Sequence, residues 1–261
     1  MNRSGINIRL LLMIGIIGFS VIKYYFSSSV NPVTGEKQRV SLTPEQEVAM
    51  GLQSAPQMAA EFGGLYPDQK VQDAIKAIGN KLVNKTQAKN SPYRYDFHVL
   101  ADPQTVNAFA LPGGQIFITV ALLKRLETED QIAGVLGHEI GHVVNRHSAE
   151  HMATQGLTQG ILQGIMVGSS DGGMGTAQIA QVVGNMINMK YGRDDELESD
   201  KYGLHYMYEC GYDPAAMIRV MQILDEASGG QRQSEFSSSH PSPENRIAKI
   251  KEEIAKMKGM Q

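Results

Sequence analysis

Apolar and polar residues alternate along the chain in distinct regimes. From Leu10 to Ile22 the chain runs apolar over 13 residues, with Ser20 the one polar position. A polar stretch, "SSSVNPVTGEKQRVS", follows and reads as a linker over residues 30–42. Thr43 then supplies an N-cap, with Pro44 at the first helical position and Glu45 and Glu47 in the first turn. Val71, Ile75, Ile78 and Leu82 recur at helical spacing, which predicts a helix from Asp68 to Gln87. "YRYDFHVL" reads as a strand, and "NAFALPGGQIFIT" as two short strands around the turn signal Pro112-Gly113-Gly114. A central helix is expected from Thr128 to about Met152, opened by a Thr128/Gln131 capping box. Another covers Arg193 to Cys210, stopped by Gly211; Asp213-Pro214 and Ser242-Pro243 open the last two. The pattern predicts an α+β fold: one mostly helical domain over residues 43–261, with a small β-sheet.

Residues 152–190 depart from ordinary amphipathic patterning. Gly156, Gly160, Gly164 and Gly168 fall four apart on one helix face, and five of the fourteen methionines lie in this stretch. Glycine within a helix costs about 1 kcal/mol relative to alanine, so close backbone packing or mobility is implied. Two readings stand: a helical hairpin packed in water, or a GxxxG face in lipid. Gln155, Gln159 and Gln163 weigh against a span.

The first 29 residues carry Arg3 and Arg9 ahead of the apolar run. They read as a membrane anchor, lengthened if Lys23 reaches the interface, or as a signal segment cleaved near Ser27 and Ser29. With either reading the positive N-terminus stays inside and the body is exported. The expected setting, which leans on the family resemblance given below, is a bacterial cell envelope, with the body anchored at the inner membrane and facing the periplasm, or free in the periplasm after cleavage.

Composition narrows the chemistry. The net charge of −3 gives no reason to expect nucleic acid as a partner. Cys210 is the single cysteine, so neither an intramolecular disulfide nor a CxxC site can exist. Any metal must be held by His, Asp or Glu.

"VLGHEIGHVVNRH" supplies such residues inside an apolar helix. His138 and His142 are four apart and project from one face, so their imidazoles can converge on one ion. Glu139 reaches the open side of that ion, where a general base would sit. A catalytic zinc needs a third protein ligand. His147, nine residues after His138, lies about 180° round a continuous helix and would point away. "YGRDDELESDKYG" offers Glu196 and Asp200 a turn apart, one to bind zinc and one to fix a ligand imidazole. Glu198 competes with Glu196, because the two lie about 200° apart and cannot both face the site.

The chain resembles the gluzincin zinc metallopeptidase family that includes HtpX, BepA, the CAAX prenyl endopeptidase and the mitochondrial inner-membrane stress peptidase. "HEIGHVVNRH" resembles the family's active helix and "NAFALPGGQIFIT" its N-A-F-A-x-P-G-G edge segment. "RDDELESD" is similar to R-x-x-E-x-x-x-D, with Ser199 where alanine is usual, and "HPSPENRI" to H-P-x-x-x-R-I. The resemblance, strongest to the soluble-domain members, implies a zincin-like metallopeptidase domain with one Zn2+ per chain. It implies Glu196 as third ligand, Asp200 as partner of a ligand histidine, most plainly His138, and a sheet edge lining the cleft. His240 matches a histidine near the metal that serves as a removable fourth ligand or an electrophilic helper. The expected partners are unfolded or misfolded protein substrates, and the membrane through the N-terminal segment. The competing expectation is a zinc-containing chaperone or assembly factor in which the metal serves structure alone.

Overall fold

The computed structural model of the chain describes residues 28–154, 181, 183–186, 189–228, 239–240 and 245–259. The expected N-terminal anchor or signal, the glycine-rich part of the 152–190 hairpin and the Ser242-Pro243 helix start lie outside the described residues. Among the described residues no helix is long and apolar enough to cross a membrane.

A three-stranded sheet stands beside the helices. β3 (Asp96–Leu100) runs parallel to β5 (Gln115–Thr119), and β4 (Ala108–Ala110) pairs antiparallel with β5, giving the order β3-β5-β4 with β4 at an edge. The β4–β5 connection is the expected Pro-Gly-Gly turn. Gly113 has φ +80, and a Cβ there would lie 2.4 Å from the Val48 Cα. Only glycine allows this turn to press against α1 (Pro44–Glu61). α1 begins as expected: the Thr43 N–H donates to the Gln46 side chain at 2.9 Å, and the Gln46 N–H returns to the Thr43 hydroxyl at 3.4 Å.

α2 (Gln69–Lys85), α3 (Val120–Leu123) and α4 (Glu129–Val144) follow, with α2 packed against β3. α4 packs along α6 (Arg193–Glu209), and α7 (Ala216–Ser228) and α8 (Arg246–Gly259) close the far side. The main core lies between sheet and helices: Phe97, Ile116, Ile118, Leu136, Ile140, Leu204, Tyr206 and Met217 are all buried. The result is a mostly helical α+β domain.

The central helix is shorter than its apolar pattern suggests. It stops at Val144, passes through Arg146 with φ +60, and restarts as α5 (His147–Thr154). The physical cause lies in residues 28–42. These are more than a linker: β1 (Ser28–Val30) and β2 (Lys37–Arg39) pair antiparallel. The hairpin they form docks on the end of α4. Asn31 donates to the Val144 carbonyl at 2.8 Å, and the Gln38 amide donates to that of Asn145. Two otherwise orphaned helix-end carbonyls are thereby satisfied. The Arg146 guanidinium is buried against the Glu47 carboxylate (Nε–Oε1 2.9 Å) and also donates to the Leu42 carbonyl at 2.8 Å. Periodicity could not reveal these contacts, because the partners lie about a hundred residues apart.

Candidate metal centre and active site

α4 and α6 supply most of the polar groups of one buried cluster, and glycines let the two helices approach. A Cβ at Gly203 would sit 3.0 Å from the His138 nitrogen, and one at Gly141 would sit 2.9 Å from the Ser199 carbonyl oxygen. This close crossing carries Glu196 to the two histidines of α4. His138 Nε2 and His142 Nε2 lie 3.0 Å apart. The Glu196 carboxylate is 3.5 Å from each, Oε2 facing His138 and Oε1 facing His142. His240 enters from beyond α7, with Nδ1 2.9 Å from Glu196 Oε1 and 3.4 Å from His138 Nε2. One ligand atom from each of His138, His142, Glu196 and His240 falls within 4.8 Å of the other three, and all four residues are buried.

The outer nitrogens are equally specified. His138 Nδ1 meets Asp200 Oδ1 at 2.9 Å. His142 Nδ1 meets His147 Nδ1 at 2.9 Å. With the outer nitrogen of each ring protonated, both Nε2 lone pairs face the centre of the cluster. Arg246, the first residue of α8, holds the acidic side in place. Its Nε and terminal nitrogen grip the two Asp200 oxygens at 2.6 and 2.8 Å, and a second terminal nitrogen lies 2.9 Å from Glu196 Oε2. Tyr191 stacks on the His142 ring at 4.0 Å between centroids and shares a hydrogen bond with Ser148 at 2.8 Å.

Charge follows from this arrangement. Burial opposes ionisation of Glu196, but His240, Arg246 and His142 outweigh it and hold the carboxyl well below its usual range. Asp200 is also held low, against its burial, by Arg246 and His138. Burial drives His142 well below the ordinary histidine value, keeping the ring neutral. Glu139 differs. It is completely buried, both its oxygens lack a hydrogen-bond partner, and burial pushes its carboxyl up. His240 approaches it, with Nε2 3.8 Å from Oε1.

Three neutral-capable imidazole nitrogens and one ionised carboxylate within a common reach are a donor set that fits zinc. Buried without an ion, such groups would face one another's lone pairs at a cost in free energy. The orphaned Glu139 carboxylate beside them fits a general base better than a fifth ligand.

The six residues singled out from sequence thus meet in one place. Glu198 does not join them. It faces the other way and meets His147 Nε2 at 3.1 Å. Three contributors escaped sequence reasoning. His147 was expected to point away, but the break at Arg146 turns it back onto His142. Arg246 was visible only as the arginine of the "HPSPENRI" segment. Tyr191 sits two residues before the "RDDELESD" segment, with no spacing signal of its own. The β4 edge lies close by: Asn107, Phe109 and Ala110 share a cavity of about 30 Å³ with Tyr191, His240 and Met189.

Residues 69–254 match the family described as Peptidase family M48. The chain is 29% identical over 235 residues to a "Beta-barrel assembly-enhancing protease" of Yersinia pestis, covering 87% of this chain and 48% of that protein. It is 34% identical over 164 residues to "Mitochondrial metalloendopeptidase OMA1" of Schizosaccharomyces pombe, covering 62% and 47%. It is 29% identical over 181 residues to "Metalloprotease YcaL" of Escherichia coli, covering 69% and 67%. The chain spans about half the length of the first two of these relatives. The matched region carries every residue of the buried donor cluster, and the chain is a member of peptidase family M48, a family of zinc metallopeptidases.

Proposed function

We propose that the chain is a zinc-dependent endopeptidase that cleaves peptide bonds of unfolded or misfolded envelope and membrane-associated proteins. The observation that carries this reading is the Glu139 carboxylate, buried and without a partner beside the four-donor cluster. His138, His142 and Glu196 would hold the zinc, with His240 as a fourth donor. Zinc bound there supplies Lewis acidity to a water nucleophile and to the scissile carbonyl. Glu139 takes the proton of the attacking water and passes it to the leaving amine; its raised pKa suits both halves of that transfer. Asp200 orients His138, and Arg246 keeps Asp200 and Glu196 ionised. In the alternative role, His240, 3.8 Å from the Glu139 carboxylate, would donate to the carbonyl oxygen as negative charge develops.

The substrate lies extended along β4, pairing backbone to backbone over Ala108–Ala110. Such pairing selects unfolded segments more than sequence. Phe109, Met189 and Tyr191, around the cavity beside His240, favour an apolar side chain near the scissile bond. The similarity to β-barrel assembly-enhancing proteases supports an envelope setting. The N-terminal 29 residues supply the membrane link or the export signal.

The test is incubation of the purified protein with an unfolded protein. Cleavage is expected, with loss on chelation and restoration by zinc. Glu139→Gln should retain zinc and lose about 10²–10⁴-fold in rate. Full activity in that variant removes Glu139 as the base. A second reading has one observation in its favour: four buried donors can close a tetrahedral site, as in structural zinc centres. The chain would then be a chaperone or assembly factor with little proteolysis. His240→Ala separates the two: chelator-sensitive cleavage by wild type or by the variant supports the peptidase, and no cleavage by either form supports the alternative.

A further inference from the structure

We propose that His147 is a positioning residue for the metal centre, linking the His142 imidazole to the Glu198 carboxylate and so fixing the tautomer that His142 presents to zinc. This rests on the reading of His142 as a ligand.

The two imidazoles meet edge to face, centroids 5.0 Å apart and planes at 75°, with Nδ1 to Nδ1 at 2.9 Å. Only one proton fits between those nitrogens. If His142 Nε2 is to offer a lone pair to the metal while the ring stays neutral, its proton sits on Nδ1, and His147 Nδ1 must accept it. The His147 proton then sits on Nε2, where the Glu198 carboxylate waits at 3.1 Å. Every donor faces an acceptor from the carboxylate inward. The opposite assignment places a proton on His142 Nε2, pointed at the metal. His138 receives the same service directly from Asp200. His142 receives it through an intervening ring, because the nearest carboxylate on that side projects from the outer face of α6.

The backbone is shaped for this contact. Five residues along an uninterrupted helix would rotate His147 about 140° away from His142. The positive φ at Arg146 ends α4 and folds His147 back, and the Glu47 and Leu42 contacts of Arg146 hold that conformation. His147 is buried, 1% exposed, and the Ser199 hydroxyl lies 3.3 Å from its Nδ1. The Ser199 hydroxyl thus adds a polar neighbour to the contact.

The experiment measures zinc affinity of the full chain by competition with a chromophoric chelator, independent of proteolysis. Removing a partner of a ligand histidine costs about 10–100-fold in metal affinity. His147→Leu should lose that much. His147→Asn, whose amide oxygen occupies the place of Nδ1, should recover most of it. Glu198→Ala should lose affinity by about 3–10-fold, a fraction of that effect. His142→Ala reports on the underlying reading, since zinc binding that survives it unchanged removes His142 as a ligand. If His142→Ala loses zinc while His147→Leu and Glu198→Ala bind as tightly as wild type, the positioning role is overturned alone. An Asn variant no better than Leu also overturns it, leaving a packing role. Should His147→Leu fail to fold, the partly exposed Glu198 carries the test, and unchanged affinity in Glu198→Ala overturns the proposal.

Discussion

Arg246 shows how one buried side chain sets the charge of a site it does not itself complete. It is 2% exposed, yet it faces two carboxylates, Asp200 and Glu196, each ionised against its burial. Replacing it with methionine keeps the volume and strands both anions. Arg246→Met is therefore expected to cost about 3–5 kcal/mol in urea unfolding of the zinc-free protein, the range for breaking a buried pair by removing one member. A loss under ~1 kcal/mol would mean that the pair is not what holds these carboxylates. At this scale the sequence spoke unevenly. His138, Glu139 and His142 declared themselves by spacing, since a four-residue step on a helix leaves little freedom. Glu196 and Glu198 could be told to face opposite ways but not which way, because the angle between them says nothing about the neighbouring helix. Arg246 had no signal in isolation: an arginine opening a charged helix looks like any solvated cation.

Between elements, the distance of α4 from α6 decides whether Glu196 reaches the histidines. Gly141→Ala would place a methyl 2.9 Å from the Ser199 carbonyl, a rigid backbone atom, so the helices must part. A loss of ~1–3 kcal/mol in stability is expected, together with weaker zinc retention in chelator titrations; unchanged retention would separate the helix crossing from the metal site. The turn before β4 makes a second, pH-dependent case. Asp102 accepts from the Gln104 and Thr105 N–H groups at 2.8 and 3.0 Å, and its carboxyl is lowered because these bonds outweigh partial burial. A lowered carboxyl contributes stability above its ordinary value of 3.8, and that contribution fades as pH falls through the folded value. Wild type should exceed Asp102→Asn by ~0.5 kcal/mol near neutrality, a modest figure for a screened group. The two should converge below pH 3.8 in urea titrations. Element by element, caps and turns were legible because their signals are local: Thr43, Thr128 and Pro112-Gly113-Gly114 act on their immediate neighbours. The end of α4 was not, because it is set by Asn31, Gln38 and Glu47.

For the whole molecule, the candidate donors come from α4, α6 and the segment before α8, so a zinc held by them would tie three regions of the chain together. Ligand linkage at a thousandfold excess over Kd contributes about 4 kcal/mol. For a chain of this size that corresponds to a melting shift of roughly 10 °C between zinc-loaded and chelated protein. Glu139→Gln should show the same shift, since it spares the donors; a smaller shift would make Glu139 part of the metal's hold. The fold class and the small sheet could be read in advance because patterning at periods of two and 3.6 covers most of the chain. The closure of the site was legible only in part: the resemblance of "HPSPENRI" pointed to His240, but the grip of Arg246 on both carboxylates comes from tertiary packing. That late closure has a consequence for biosynthesis. A growing polypeptide that has emerged from the ribosome only through α6 already carries His138, His142 and Glu196, but nothing yet neutralises the paired acids or seals the pocket. The buried site is therefore complete only once translation has passed Arg246.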